Sequence, residues 1–355
     1  MRQKGARVAV GLSGGVDSSV AAYLLKEEGY DVIGVTMQTW REGQEHAAPG
    51  ETMAADAKRV AEALELPHYI IDAGEVFAHR VIAPFVESYC QGKTPNPCVI
   101  CNRYVKWESL LKAGRELGAE YIATGHYAGV VQLPGGRFTL RKAVGADKDQ
   151  TYALFNLTQE QLSRTRMPIG AYRKEEVRNI AREKKIPVAN KPDSQEICFI
   201  PNNDYAAYIA RKKGKMEEGN FVTKTGEILG PHRGIIHYTI GQRKGLNLSM
   251  GHPVFVTEIR PETGEVVIGD SKELFKDRLI CANVNWMAIE SLIRERPAIA
   301  KIRYAHRGEP CLLRPLKDGR VEVVFEEPVR AITPGQAVVF YEEDYLLGGG
   351  IIEKQ

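Results

Sequence analysis

From Val8 to Leu12 the chain is continuously apolar, and beyond a Gly-rich turn its apolar positions fall into helical steps through Leu25. This pattern predicts a strand over 8–12 and a helix over 17–28. The same reading continues with a strand over 31–37, a helix over 54–64, a strand over 68–72, a helix over 105–117 and a strand over 120–124. In the 105–117 helix Leu110, Leu111 and Leu117 share one stripe. The polar stretch 41–52 reads as a mobile loop. Alternating strands and helices imply a parallel sheet covered on both faces, whose ligands sit at the carboxyl ends of the strands. Helices are predicted over 173–185 and 204–213. After about residue 250 the pattern shortens to strand candidates at 254–259, 265–269, 279–286, 298–304, 311–313, 320–325, 337–341 and 346–353. That spacing indicates a small barrel or sandwich.

The composition changes this picture little. With 355 residues, 43% hydrophobic and 26% charged, the chain reads as a soluble globular protein of two or three domains. No apolar run approaches the ~18 residues of a spanning helix. The N-terminus enters Val8 with no secretory pattern, so a cytoplasmic location with mostly reduced cysteines is expected. The net charge of +3 is too small to announce a nucleic-acid binder. Charge is uneven, however: nine Lys and Arg stand against three Glu between Arg164 and Lys191, and Arg211, Lys212, Lys213 and Lys215 follow. Such clusters either follow a phosphate backbone or form a solvated helix face.

The first chemical signal is Ser13-Gly-Gly-Val-Asp-Ser-Ser19, placed between the predicted strand and helix. Gly14 and Gly15 allow a tight turn and close approach of an anion, which free N–H groups and the helix dipole favour. The hydroxyls of Ser13, Ser18 and Ser19 are candidate donors. No Lys follows the glycines, which excludes the common P-loop. The string resembles the pyrophosphate loop of the PP-loop ATP pyrophosphatases. That resemblance implies cleavage of ATP to AMP and pyrophosphate to activate a carbonyl-type oxygen, with Mg²⁺ as Lewis acid.

The second signal is cysteine. Cys98 and Cys101 form a C-x-x-C in a loop stiffened by Pro95 and Pro97. A helix predicted to begin soon after Cys101 would lower its thiol pKa. Cys198 stands in the polar segment Asp193-Ser-Gln-Glu-Ile-Cys-Phe199. Cys90, Cys281 and Cys311 read as small buried hydrophobes.

Further strings narrow the class. Thr94-Pro-Asn-Pro-Cys-Val-Ile-Cys-Asn102, Ala123-Thr-Gly-His-Tyr-Ala128, Lys148-Asp-Gln150, Asp193–Phe199 and Tyr238-Thr-Ile-Gly-Gln-Arg-Lys-Gly245 resemble, in order, motifs of the bacterial tRNA-specific 2-thiouridylases. The resemblance implies an α/β protein: an N-terminal Rossmann-like parallel-sheet PP-loop domain over 1–205, a small central tRNA-binding linker domain over 206–268 and a C-terminal β-barrel over 269–355. It implies thiolation of the wobble uridine of tRNAs for Lys, Glu and Gln. ATP would lie on Gly11, Leu12, Ser13, Gly14, Gly15, Val16, Asp17 and Ser18, with Met37 and Gly125 nearby. Asn96, Pro97 and Cys98 would meet the base. His126, Lys148, Asp149, Gln150, Arg303, Tyr304 and Gln336 would touch the anticodon stem-loop. Cys198 would carry a persulfide from a cysteine desulfurase or sulfur-relay protein, with Cys101 as partner nucleophile.

A second mechanism for the same reaction places an iron–sulfur cluster on Cys98, Cys101 and Cys198, which would deliver sulfide. A PP-loop ligase acting on a different substrate would need the phosphate loop but not the paired thiols. A tRNA-binding protein without catalysis would need only the basic surface.

Overall fold

The computed structural model describes residues 5–39, 53–193, 197–214 and 216–354. The loop predicted over 41–52 lies outside the described residues, as do Ser194, Gln195, Glu196 and Lys215.

The expected parallel sheet is present. Its order is His68–Asp72, Asp31–Gln38, Arg7–Gly11, Tyr121–Ala123, Thr165–Arg166. The central strands are apolar on both faces because helices cover both. Val8 and Val10 pack with Val20 and Leu25 of helix Val16–Glu27 and Val60 of helix Met53–Ala63. Ala9, Ile33 and Val35 pack with Leu110 and Leu111 of helix Glu108–Glu116 on the other side. The C-terminal ends of Arg7–Gly11 and Asp31–Gln38 therefore deliver the phosphate loop and Met37 to one edge of a rigid layer.

The central unit is a four-stranded sheet in the order Phe255–Arg260, Glu265–Gly269, Gly219–Val222, Ile228–His232. The C-terminal unit is a barrel of six strands: Phe275–Trp286, Val321–Arg330, Glu309–Pro315, Arg296–Lys301, Ala337–Glu342 and Tyr345–Ile352. The last strand pairs back onto the first, with Cys281 opposite Ile352, and so removes both edges.

Sequence periodicity missed a hairpin that crosses between units. Ala128–Gln132 and Phe138–Lys142 form a hairpin that joins the barrel sheet through Tyr345 opposite Arg141. A piece of the N-terminal half thus extends the C-terminal sheet. Phe155 of that half also lies against Gly349.

All three units meet at the Thr94 loop. Thr94 donates its N–H to Pro334 O at 2.9 Å, accepts from Gln336 Nε2 at 2.9 Å and reaches Thr239 Oγ1 at 3.3 Å. The barrel and the central unit thereby fix the approach to Cys98.

Candidate active site

The phosphate loop is shaped as its glycines require. Gly14 has φ +64°, and a Cβ there would stand 2.6 Å from Met53 O. Gly15 caps helix Val16–Glu27 without a side-chain hydrogen bond, so no capping side chain competes for the first-turn N–H groups. Leu12 and Val16 point into the core, which leaves only their backbone to face a ligand. Ser13 is exposed and its Oγ lies 3.2 Å from Ser18 Oγ. Ser19 departs from the expected donor set: it is fully buried and its hydroxyl donates to Gly15 O at 2.8 Å, inside its own helix. Gly125 lies so close to the helix start that a Cβ would meet Ser18 N at 2.4 Å. Met37 Cε lies 3.8 Å from where a Cβ of Gly11 would be. Gly11, Met37, Gly125 and the start of helix Val16–Glu27 thus adjoin in one patch.

The basic stretch between residues 164 and 191 turns inward rather than only outward. Lys174 Nζ donates to both oxygens of Asp17, at 2.8 and 2.9 Å, and Tyr127 donates its hydroxyl to Asp17 Oδ1 at 2.8 Å. Lys191 Nζ donates to Gly14 O at 3.0 Å. The lysines absent from the loop's own sequence are supplied by a segment 157 to 177 residues away along the chain. Asp193 accepts from Lys174, Lys148 and Arg178 at 2.7, 3.2 and 2.8 Å. Burial raises the Asp193 carboxyl, but its bonds to Lys174 and Lys148 outweigh this and hold it below the ordinary value.

The thiols gather beside this patch. Asn96 caps a helix that begins at Pro97, its Oδ1 accepting from Cys98 N at 3.1 Å. The helix continues as a π-helical stretch over Cys101–Trp107, a distortion frequent at functional sites. Cys101 therefore stands a full turn inside the helix, and the expectation of a low pKa from a helix start is not met. Burial pushes its thiol up to about 11, Lys106 works in the opposite direction, and Cys198 and Cys98 raise it further. Cys98 is exposed, yet the surrounding protein raises its thiol too, against the pull of Lys106 and with Cys198 adding to the rise.

Cys198 is exposed, between half-buried Ile197 and buried Phe199. The Phe199 ring sits edge-on to Phe77 and Phe85, with Tyr208 on a further side. This end of the 194–199 segment is anchored by apolar packing rather than wholly polar. Met37, Cys101 and Ile197 all pack against the same apolar cluster as Phe199. Met37 therefore connects the phosphate loop to the thiols. Cys281 and Cys311 are buried in the barrel and pushed up to about 12 by that burial; Cys90 is only half-buried.

The fit of an iron–sulfur cluster is poor here. Although the three thiols feel one another's charge, no group of three His, Cys, Asp or Glu among the described residues is disposed to hold a metal ion.

The remaining expected contacts are dispersed around the thiols. Tyr304 is exposed and close enough to Cys98 for that thiol's charge to raise its hydroxyl, after burial and the nearby Asp149 and Asp147. Arg303 and Gln336 line a cavity of about 270 Å³ with Thr94, Thr239 and Arg330. The His126 ring lies tilted against Trp107, and burial, then Lys106, keeps it neutral. Asp149 is turned inward, accepting from Ala143 N–H and the Thr151 hydroxyl. Gln150 accepts the Tyr127 N–H. All three side chains of the Lys148–Gln150 string thus have partners within the protein, Lys148 through its ion pair with Asp193. Lys106, Lys174 and Lys191 complete the site without a motif of their own, and Tyr127, within the 123–128 string, joins them through its hydroxyl on Asp17.

With the thiol of Cys101 raised, only its small thiolate fraction reacts near neutral pH. Its alkylation rate is expected to rise about tenfold per pH unit between pH 7 and 9.5. Lys106→Met removes a cation that lowers this pKa, so the same curve is displaced to higher pH. Mass-spectrometric labelling of the Cys101 peptide measures both; a flat profile over this range would contradict the assignment.

Comparison with known proteins gives the family. Residues 6–202 match the model described as tRNA methyl transferase HUP domain, 206–270 the tRNA methyl transferase PRC-barrel domain and 276–352 the aminomethyltransferase beta-barrel domain. The tRNA-specific 2-thiouridylase MnmA of Lachnoclostridium phytofermentans is 56% identical over 98% of this chain and 99% of its own length. The chain belongs to the tRNA-specific 2-thiouridylase family. The protein of the same name from Clostridioides difficile is 49% identical, covering 98% of both chains. The solved U34-tRNA thiolase NcsA from Methanococcus maripaludis overlaps only in part: 19% identity, TM-score 0.36, 60% of this chain and 68% of that one. No helix among the described residues is long and apolar enough to cross a membrane.

Proposed function

We propose that the protein replaces the 2-oxygen of the wobble uridine of tRNA with sulfur, using ATP. The carrying observation is a chain of neighbours: Met37 reaches the phosphate-loop strand end at Gly11 and packs in one apolar cluster with Cys101 and Ile197, and the Cys198 thiol is close enough for its charge to act on Cys101 and Cys98. Two chemistries, nucleotide cleavage and sulfur transfer, are built to act on one atom. A methyl transfer, which the family descriptions also name, has no need of this pairing.

In the first step the uracil 2-oxygen attacks the α-phosphorus of ATP and pyrophosphate leaves. Backbone N–H groups at Gly14–Ser18, with Lys174 and Lys191, stabilise the departing charge. Asp17 is the carboxylate at this loop for Mg²⁺, which would supply Lewis acidity. In the second step the outer sulfur of a Cys198 persulfide attacks C2, and AMP departs with the former 2-oxygen. The Cys101 thiolate then takes the inner sulfur of that S–S bond. The products are 2-thiouridine and a Cys101–Cys198 disulfide, which an external thiol reduces. Lys106 favours the thiolate required of Cys101.

Residues Asn96–Cys98 present the site to an extruded base. Lys148, His126, Arg303, Tyr304 and Gln336 surround it as the tRNA-facing set. In the division of labour we favour, 1–205 carries the chemistry while 206–268 and 269–355 hold the anticodon stem-loop. The persulfide sulfur comes from a cysteine desulfurase or a relay protein in the cytoplasm, reaching the exposed Cys198.

The test is incubation with unmodified tRNA for Lys, Glu or Gln, ATP, Mg²⁺ and a desulfurase with cysteine, followed by nucleoside mass spectrometry. A gain of sulfur at the wobble position is expected only when ATP is present. An unchanged tRNA, with ATP consumed regardless of it, would refute the reading.

A further inference from the structure

Turning the uracil 2-oxygen into a phosphate ester also moves a proton. As O2 attacks the α-phosphorus the ring must lose its N3–H, or the adenylated base is left cationic. The finished 2-thiouridine carries N3–H again. The site therefore needs a group that takes this proton and gives it back, a task for a side chain able to change charge near neutral pH.

His126 is placed for it. The strand Tyr121–Ala123 runs out beside the phosphate loop, where Gly125 is packed so tightly that an added Cβ would stand 2.4 Å from Ser18 N. The next residue is His126, half-buried. Its ring centroid lies 5.3 Å from that of Trp107, and its Nδ1 is 2.9 Å from Thr124 Oγ1. Trp107 is fixed in turn, its Nε1 donating to Thr165 Oγ1 at 2.9 Å. With Nδ1–H donated to Thr124, Nε2 is left as the acceptor of the ring. Trp107 closes the π-helical stretch that Cys101 opens, so the imidazole stands between the nucleotide patch and the thiol-bearing helix. Lys106 of the same stretch acts on His126, Cys98 and Cys101 alike, which puts the ring in the neighbourhood of the thiols. Thr124 and Trp107 are uncharged, and Lys106 is the cation facing the ring. Burial and that cation hold the imidazole in its neutral, proton-accepting form. The nearby carboxylates are committed elsewhere: Asp17 to Lys174 and Tyr127, Asp193 to Lys174, Lys148 and Arg178, and Asp149 to Ala143 and Thr151.

We propose that His126 is a catalytic residue: the general base that takes the N3 proton of the wobble uracil and the acid that returns it. The proposal rests on the reading of the Gly14–Gly15 turn as the ATP site, and it gives His126 a task beyond contact with tRNA. As the O2–phosphorus bond forms and pyrophosphate leaves, the N3 proton passes to Nε2, and the electron pair it leaves completes a C2=N3 double bond. When the persulfide sulfur adds to C2, that pair returns to N3 and the imidazolium gives the proton back. The C2–O bond then breaks and AMP departs. The proton ends where it began, and the imidazole is regenerated. Phosphorylation of O2 makes N3–H strongly acidic, so a weakly basic imidazole suffices.

The experiment times pyrophosphate release in a single turnover, with ATP, Mg²⁺ and saturating unmodified tRNA, before any sulfur is supplied. His126→Gln is expected to slow this release by about 10²-fold or more, the usual worth of a general base. A tRNA with 5-fluorouridine at the wobble position, whose N3–H is more acidic, is expected to restore about tenfold or more of the variant's rate while changing the native rate by less than about threefold. A variant with the native rate overturns the proposal. So does a variant slowed equally on uridine and 5-fluorouridine, because a residue that only holds the tRNA is indifferent to the acidity of N3. A native protein that releases no pyrophosphate in response to tRNA overturns the ATP-site reading, and this proposal with it. Should His126→Gln not fold, His126→Asn takes its place with the same two substrates and the same deciding outcomes.

Discussion

Cys198→Ser loses thiolation of tRNA by on the order of 10³-fold or more, the scale expected when a covalent nucleophile is removed. The physical reason is that oxygen cannot replace the transferable sulfur. A serine hydroxyl cannot carry a persulfide, and no other exposed cysteine occupies the same segment. The loss in thiolation exceeds the loss in tRNA-dependent pyrophosphate release, because Cys198 acts after the α-phosphorus has been attacked. Nucleoside mass spectrometry and a pyrophosphate assay on the same samples separate the two. Equal losses would mean that Cys198 serves the nucleotide step or the fold. Its exposure argues against the fold: the burial in this segment belongs to Phe199, packed among Phe77, Phe85 and Tyr208.

Gly125→Ala has the second largest expected effect, and it acts through backbone. The added Cβ would stand 2.4 Å from Ser18 N and 2.5 Å from the Asp17 carbonyl carbon. Neither atom can swing aside as the end of a side chain can, so the strand end and the helix start must separate. Overpacking of this kind costs about 1–3 kcal/mol of stability. Displacement of the phosphate loop by even ~1 Å is worth about 10²-fold in catalysis. We expect kcat/KM for ATP to fall by about that factor, with a lower Tm. Gly135→Ala is the control, since a Cβ there meets nothing within 4 Å. An unimpaired Gly125→Ala enzyme would show that this close approach does not shape the nucleotide site.

Much of the parallel sheet is legible in the sequence because its strands are short apolar runs whose ends are marked by the Gly-rich turn and by charged residues. The strand predicted over 265–269 is observed as Glu265–Gly269, and that over 337–341 as Ala337–Glu342. What escapes depends on distant partners. The hairpin Ala128–Gln132 and Phe138–Lys142 is stabilised by a strand some 200 residues later, which no local window contains. Gly219–Val222 and Ile228–His232 carry Gly and Pro and no strand is predicted there, yet they complete the central sheet. The helix start at Pro97 does carry a local signal: Asn96 at the cap with Pro at the first helical position. A helix placed later along the chain puts Cys101 at its start and makes its thiol acidic, which is the reverse of what burial does to it.

The site divides along the same line. Groups carried by a contiguous motif, such as Ser13–Ser18 and Asn96–Cys101, are visible as strings. Lys174 and Lys191 are visible only as charge. Their role at Asp17 and Gly14 follows from how the 170–193 segment packs over the loop. Asp149 shows the reverse: it is part of a recognisable string, but its carboxylate is spent on Ala143 and Thr151.

The most direct measurement of the central claim follows one oxygen atom. A tRNA is prepared with ¹⁸O at the 2-position of the wobble uracil and incubated with the enzyme, ATP, Mg²⁺ and a persulfide source. Nucleotide activation and sulfur transfer at the same carbon predict that the AMP released carries the ¹⁸O while the nucleoside gains sulfur in equal amount. Sulfur gained with unlabelled AMP would contradict the account, because the nucleotide would then have been spent on some other atom.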